Sequence, residues 1–249
     1  MKLSAEIIYD ELNREYNVEL AGNIKRELML GLPELYFSDE TPFKENHVYI
    51  ARSDKLPKIP PIDIPSLIIC FGGKPSNWYY KSDFSLIVVY TDTDMPTLFN
   101  SVQEIYSKYI EWNDALNEII DTTADLQTIV DISTPIFKNF IAIIDDDMNY
   151  LAYSRDFDLH EFEELLPDNN DKAPFKVINN LIRTLNDERK HFEYKSITDD
   201  IFVKSLFRGT KLVGIIMIYP SLHALTPGEL VLATHLSEKS SAAFSRLSK

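Results

Sequence analysis

Residues 140–154 read FIAIIDDDMNYLAYS and carry the strongest local structural pattern in the chain. Two apolar runs flank a short polar segment with Asp146, Asp147 and Asn149, residue types that tolerate the backbone angles of a tight turn. The pattern predicts a strand, a turn and a second strand that pairs with the first. We therefore expect an antiparallel hairpin in the second half of the chain.

Further helices and strands are predicted on both sides of this hairpin. The predicted helices lie at 125–137, 158–166 and 174–186. Three strands are predicted after them, in HFEYKSI, IFVKSLFRG and KLVGIIMIYP. The last helix begins with a capping box formed by Thr226 and Glu229. This order predicts an α+β domain over residues 123–249, with an antiparallel sheet flanked by helices.

Residues 1–94 predict a separate α/β module. Four short runs are rich in β-branched and aromatic residues and predict strands, namely PELYF, HVYIA, SLIICF and SLIVVY. The last two are apolar almost without alternation, which is typical of strands covered on both faces of a parallel or mixed sheet. Helical spacing before them predicts a first helix from residue 5, a break or short strand, and a second helix from Ile24 to Leu30.

Residues 95–122 predict one long amphipathic helix that joins the two modules. Its apolar positions are spaced alternately four and three apart, at Leu98, Val102, Ile105, Tyr109, Trp112, Leu116 and Ile119. A repeat of about 3.5 residues places side chains on one narrow seam, through which a helix pairs with a partner helix. An ordinary helix that faces its own core fits the same pattern, and both interpretations stay open. We expect this seam to form the interface of a homodimer.

The composition excludes several classes of function. The chain has 249 residues, with 39 acidic and 25 basic side chains and a net charge of −14. No basic run is long enough to form a phosphate-binding face, so we expect no direct contact with nucleic acid. The N-terminus lacks a signal peptide and no segment is apolar enough to span a membrane, which predicts a cytoplasmic protein without membrane contact.

No group of residues in the sequence predicts catalysis, a metal site or a cofactor. Asp145, Asp146 and Asp147 fit a turn better than a metal site, and the five histidines are scattered. The segment Gly72-Gly73-Lys74 resembles a phosphate-binding loop only weakly, since Pro75 removes a backbone donor. Cys70 lies in an apolar run, where a buried inert thiol is expected. We therefore do not expect an enzyme.

A small-molecule pocket is the more plausible site in the C-terminal domain. A ligand would lie between the sheet and its covering helices, among aromatic side chains with a few polar anchors. The candidate ligand-binding residues are Tyr153, Ser154, Phe192, Tyr194, Phe207 and Arg208. Alternation along the strands must turn some of them away from the pocket. The alternative is that these side chains simply fill the core.

The order of these parts resembles a known family of regulators. The segments NHVYIARSDKLPKIP, SLIICFGGKPS and SLIVVYTDTDMPTLFNSVQEIYSKYIEWNDAL, followed by DLQTIVDISTPIFKNFIAIIDDDMNYLAYS, are similar to the N-terminal regulatory half of bacterial transcription regulators of the PucR and CdaR type. Residues from about 110 to 249 resemble a GAF-type sensor domain. The resemblance implies a dimerising ligand sensor, and regulators of this type carry a C-terminal helix-turn-helix module that this chain does not contain.

The expected function is therefore a ligand-sensing, dimerising regulatory region of a bacterial transcription regulator. Its expected partners are a second copy of the chain and a small-molecule metabolite, with DNA reached only through a downstream module. Two alternatives remain open. One is a small enzyme that acts on a phosphorylated or activated metabolite near Gly72-Gly73 or near Asp92 and Asp94. The other is an interaction scaffold without a ligand.

Overall fold

The structure is a computed structural model that describes residues 1–37, 43–60, 64–145, 147–155 and 201–246. The chain divides into two compact units. The first unit consists of Met1–Asn113 with Thr226–Val231, and the second of Asp114–Leu225 with Leu232–Lys249. The described strands form one mixed and one antiparallel sheet, accompanied by helices, so the chain has an α/β architecture.

The first unit contains a mixed sheet. Helix α1 spans Ala5–Leu12, and the strands β1 to β5 span Val18–Gly22, Pro33–Tyr36, Val48–Arg52, Leu67–Phe71 and Ser85–Val89. Among the described residues the strand order is β1-β5-β4-β3-β2, with β2 to β5 parallel and β1 antiparallel to β5. A short 3-10 turn at Ser53–Lys55 follows β3. All four strands predicted from the apolar runs are confirmed.

The central strands of this sheet are buried because both of their faces are covered. Every residue of β4 and β5 is buried, as expected for continuous Val and Ile runs in parallel strands. One face carries a cluster of rings, the Phe43 cluster, which consists of Tyr36, Phe43, Tyr49 and Phe84. Phe43 comes from the connection between β2 and β3, so the connections supply part of this core.

The second helix predicted between Ile24 and Leu30 is wrong. The backbone of this segment bonds mainly to distant parts of the chain, because Lys25 N donates to Ser85 Oγ at 3.3 Å and Leu30 pairs with Leu3. The short strand considered before it is present as β1. Contacts remote in sequence thus override a local helical pattern.

The long helix α2 spans Met95–Thr122. Six of the seven seam positions are buried within a single chain, and these are Leu98, Val102, Ile105, Tyr109, Trp112 and Leu116. The seventh, Ile119, is only partly buried, while Ile120 is buried instead. The interval of 22 residues from Leu98 to Ile120 corresponds to six turns at about 3.6 residues per turn, which is the period of a straight helix.

This burial corrects the assignment of the seam to a dimer interface. Side chains that the chain itself covers offer no surface to a second copy, so α2 buries its apolar stripe as a core-facing helix does. Homodimerisation, and a role of α2 as a connector, stay predictions. If the chain dimerises, it must use other side chains.

The second unit contains an antiparallel sheet. Helix α3 spans Leu126–Phe137, and the strands β6 to β9 span Phe140–Ile144, Tyr150–Tyr153, Phe202–Arg208 and Lys211–Tyr219. Among the described residues the order is β7-β6-β9-β8. The hairpin predicted at 140–154 and the strand pair joined at Gly209-Thr210 are confirmed. The predicted helices 158–166 and 174–186 and the strand HFEYKSI lie outside the described residues.

The last helix, α4, spans Pro227–Arg246. The predicted capping box is present, because Thr226 N donates to Glu229 Oε2 at 3.0 Å and Glu229 N donates to Thr226 Oγ1 at 3.2 Å. The residues of α4 up to Val231 belong to the first unit and the later ones to the second. In the part of the chain that the structure describes, no helix has the length and apolarity needed to cross a membrane.

Candidate functional site

The antiparallel sheet of the second unit has two different faces because side chains alternate along each strand. Helix α3 packs against β6 and β7 on one side. The opposite side carries a row of rings from Phe140, Tyr150, Tyr153 and Tyr219, and these side chains together with Met217 are here named the aromatic face. Ile144, Ile215 and Val203 extend this side along the sheet.

Each ring of the aromatic face contacts the next one, so that the rings form a row across three strands. The Tyr150 and Tyr153 ring centroids are 5.6 Å apart and nearly perpendicular. Tyr153 lies 6.4 Å from Phe140, and Phe140 lies 6.2 Å from Tyr219. Phe140, Tyr150 and Tyr219 are buried, whereas Tyr153 is partly exposed. Among the predicted pocket residues that the structure describes, Tyr153 is therefore the one that lies in this row of rings.

Helix α3 fixes the backbone at Tyr153. Gln127 Nε2 donates to Tyr153 O at 2.8 Å, and Tyr153 N donates to Gln127 Oε1 at 3.2 Å. The same amide donates to Asp131 Oδ1 at 2.7 Å. One glutamine side chain thus satisfies both backbone groups of Tyr153, so movement of this strand end is tied to α3.

Burial also determines the protonation of the phenols on this face. Desolvation raises the pKa of Tyr150, with the neighbouring Tyr153 adding to the effect, and it likewise raises the pKa of Tyr219. Both groups stay neutral hydroxyls at physiological pH. The Tyr219 hydroxyl lies 4.0 Å from Met217 Sδ, a weak acceptor.

Ser154, predicted as a ligand anchor, has a structural role instead. It is fully buried on the α3 side of the sheet, where its hydroxyl lies 2.8 Å from Thr134 Oγ1 and accepts from Ile141 N at 3.0 Å. Ser154 follows Tyr153, so alternation sends the two side chains to opposite faces. Alternation was expected to turn some of the candidate residues away from the pocket, and Ser154 is one that faces away from Tyr153.

Phe207 and Arg208 lie away from Tyr153. They end β8 next to the turn at Gly209-Thr210, and Phe207 pairs with Leu212 of β9. Tyr153 instead pairs with Ala142 of β6, which pairs with Met217 of β9. Phe207 and Tyr153 are therefore about 20 Å apart, because three strand spacings and five residues along β9 separate them. The structure therefore does not bring these predicted residues together. Phe192 and Tyr194 lie outside the described residues.

The acidic turn of the hairpin is built by one of its carboxylates. Asp145 Oδ1 accepts from Asp147 N at 2.9 Å and from Asn149 N at 2.8 Å, and Asp145 Oδ2 accepts from Asn149 Nδ2 at 2.9 Å. These bonds are those of a turn, as the sequence interpretation favoured. Within the described residues no group of three or more His, Cys, Asp or Glu side chains is arranged to hold a metal ion.

The loop after β4 gives no support to the enzyme alternative. Lys74 is exposed, its ammonium group lies 3.7 Å from Glu19 Oε2 and 5.4 Å from the centroid of the Tyr90 ring, and Tyr90 donates to Glu19. The hydrogen bond to Tyr90 and the charge of Glu19 raise the pKa of Lys74, so it stays protonated. A protonated lysine is neither a base nor a nucleophile.

Two other polar groups near this sheet have structural roles. Cys70 is buried, and desolvation raises the pKa of its thiol to about 12, which makes it inert as expected. Asp94 accepts from Thr97 N at 2.8 Å in the first turn of α2. The hydrogen bonds from Thr97 lower the pKa of Asp94, as expected for a capping carboxylate.

Sequence reasoning missed most of the aromatic face. Four of its residues were interpreted only as strand residues, namely Phe140, Tyr150, Met217 and Tyr219. The strand pairing places their side chains on one side of the sheet. Pairing register, which the sequence does not contain, was needed to group them. No protein-family model matches the chain, and no curated protein matches it significantly.

Proposed function

We propose that this chain is a ligand-responsive regulatory region of a bacterial transcription regulator of the PucR and CdaR type, and that its second unit is a GAF-like sensor. The observation that carries the proposal is the aromatic face: a row of rings from three strands of an antiparallel sheet whose other face packs on a helix. Aromatic and apolar side chains with a few polar groups are typical of small-molecule sites.

The chemistry of the aromatic face defines the class of ligand. Its described side chains carry no charge, and their polar groups are phenol hydroxyls. A flat, largely apolar molecule would stack on the rings and bond to a hydroxyl. A strongly charged metabolite would lose its hydration there without a counter-charge among these residues.

Tyr153 connects ligand binding to a change of state. It is the partly exposed ring of the face, and its backbone bonds directly to Gln127 of α3. A ligand that binds better to one position of Tyr153 favours the matching position of α3, because a ligand shifts an equilibrium only through such differential affinity. Helix α3 is then the first element to respond.

The remaining parts of the proposal concern partners and location. The net charge of −14 argues against direct contact with DNA, so the output belongs to a module outside this chain. We propose a cytoplasmic homodimer without enzymatic activity, whose interface uses side chains other than the buried stripe of α2.

The test is a ligand screen with two matched variants. Planar aromatic metabolites are added to the whole chain and the melting temperature is recorded, since a ligand that binds only the folded form raises it. For a molecule that binds, Tyr153→Ala is expected to weaken binding about tenfold, or about 1.4 kcal/mol. Phe207→Ala, an exposed ring of the same unit, is expected to leave affinity unchanged.

The opposite pattern, with binding lost in Phe207→Ala and retained in Tyr153→Ala, would contradict the site. No shift with any member of a broad panel would favour the scaffold alternative.

A further inference from the structure

The first turn of α4 is bound to α1 by a carboxylate that is distant in sequence. Gly228 N donates to Asp10 Oδ2 at 2.7 Å, and the two residues are 218 positions apart. Both belong to the first unit. This bond lies within the unit and does not involve the aromatic face.

The turn approaches α1 more closely than any residue but glycine allows. A Cβ atom at Gly228 would lie 2.4 Å from Asp10 Oδ2 and 2.8 Å from Ile7 Cα, and the second of these is a backbone atom that has no room to move. Real Cβ contacts are essentially never this short. Glycine at this position therefore serves the contact with α1, because a glycine inside a helix otherwise costs stability.

Asp10 completes the hydrogen bonding of this helix end. Pro227 has no N–H, Glu229 N donates to Thr226 Oγ1, and Leu230 N donates to Thr226 O at 3.0 Å. Gly228 N is then the first-turn donor that the capping box does not satisfy, and Asp10 accepts its hydrogen bond. The docking of the turn and the capping of α4 are thus one interaction.

This contact is made in a cluster of buried carboxyl groups. Glu6 on α1 and Glu229 on α4 are each only 4% exposed, and Glu6 Oε2 has no hydrogen-bond partner in the described residues. Desolvation raises the pKa of Asp10 and the charges of Glu229 and Glu6 raise it further, against the lowering effect of the bonds from Thr226 and Gly228.

The cations near these carboxyl groups pair with carboxylates other than that of Asp10. Arg14 lies 3.1 Å from Glu11 and 3.8 Å from Glu229, and Lys108 of α2 lies 2.8 Å from Glu11. Arg26 contacts Glu6 at 3.2 Å from an exposed position. None of these ion pairs includes Asp10.

We propose that the contact between Asp10 and Gly228 is a proton-sensitive latch, which holds the first turn of α4 on α1 more firmly when the Asp10 carboxyl is protonated. The protonated group still accepts from Gly228 N through its carbonyl oxygen, while repulsion from Glu6 and Glu229 disappears. The sign follows from linkage: a carboxyl that binds protons more tightly in the latched state favours that state as the pH falls. The device needs no ligand and is independent of the proposed sensor function.

Hydrogen exchange on the whole chain tests the latch. The amides of residues 228–231 are compared at about pH 4.5, above the ordinary pKa of an aspartate, and at about pH 7.5, after correction for the intrinsic pH dependence of exchange. In the wild type we expect protection to be several-fold higher at the lower pH. Asp10→Asn, which mimics the protonated carboxyl, is expected to be at least as protected as the wild type near pH 7.5 and to lose the pH dependence.

Two further variants complete the design. Asp10→Ala removes the acceptor and is expected to accelerate exchange of these amides about fivefold. Glu15→Gln changes an exposed carboxylate just after α1 and is expected to keep the wild-type protection and its pH dependence. Faster exchange in Asp10→Asn than in the wild type near pH 7.5, or a pH dependence that persists in that variant, would overturn the proposal.

Discussion

The two units of this chain use aromatic side chains in different arrangements. In the Phe43 cluster one ring contacts three others, with centroid distances of 4.9 Å to Tyr36, 5.1 Å to Tyr49 and 5.2 Å to Phe84. On the aromatic face the described rings form a row, in which neighbours are 5.6 to 6.4 Å apart. The first arrangement is a hub and the second is a chain of pairs.

This difference separates a core from a candidate site. Phe43, the ring at the hub, is held in position by three ring contacts, and all three are lost when the ring is removed. Tyr153 in the row contacts two rings, Phe140 and Tyr150, and is also partly exposed. A ring of this kind can adjust to a ligand at a smaller cost in packing. The comparison predicts different energetic consequences of similar substitutions.

The largest expected effect is at the hub. Phe43→Ala is expected to lower the free energy of unfolding by about 3–5 kcal/mol, because a buried ring and its contacts are lost and a cavity remains. Tyr153→Ala is expected to cost less, about 1–2 kcal/mol, since this side chain is already partly exposed. Urea unfolding of both variants measures the difference. Equal costs would show that the row is packed as tightly as the hub.

A smaller effect concerns how the free energy of unfolding of the second unit depends on pH. Burial, aided by the charge of Lys239, lowers the pKa of His235 in the second unit to about 4. A histidine whose pKa is lower in the folded state stabilises the fold above the unfolded pKa of about 6.5, and this contribution is lost as the pH falls towards 4.

The wild type should therefore lose about 1–2 kcal/mol relative to His235→Gln between about pH 7.5 and about pH 5, after allowance for partial exposure of the ring. The free energies of unfolding of both proteins over this range give the measurement. A constant difference between them would mean that His235 titrates alike in the folded and unfolded chain.

The sequence was sufficient wherever structure depends on local pattern. The Val and Ile runs of β4 and β5, the turn at Asp145 and the capping box of Thr226 and Glu229 were all predictable, because each is defined by neighbouring residues. The hairpin of the second unit was predictable for the same reason.

Predictions failed where distant residues determine the outcome. The segment from Ile24 to Leu30 has a helical pattern but bonds to Leu3 and to Ser85 of β5. The stripe of α2 differs between a coiled coil and a core helix by one position, Ile119 or Ile120, and only packing decides between them. Contact between Asp10 and Gly228 has no local pattern at all.

The smallest expected effect tests the reassignment of Ser154 directly. Its hydroxyl accepts from Ile141 N and bonds to Thr134 in a fully buried position, so Ser154→Ala leaves a buried donor unsatisfied and is expected to cost about 1 kcal/mol. Ser53→Ala, which removes an exposed hydroxyl bond to Gly72 O, should cost less than about 0.5 kcal/mol. If Ser154 were a ligand anchor, its substitution would instead weaken ligand binding while the free energy of unfolding stayed unchanged. Unfolding and binding measured on the same variant therefore separate the two roles, because alternation permits only one residue of the pair Tyr153 and Ser154 to face a ligand.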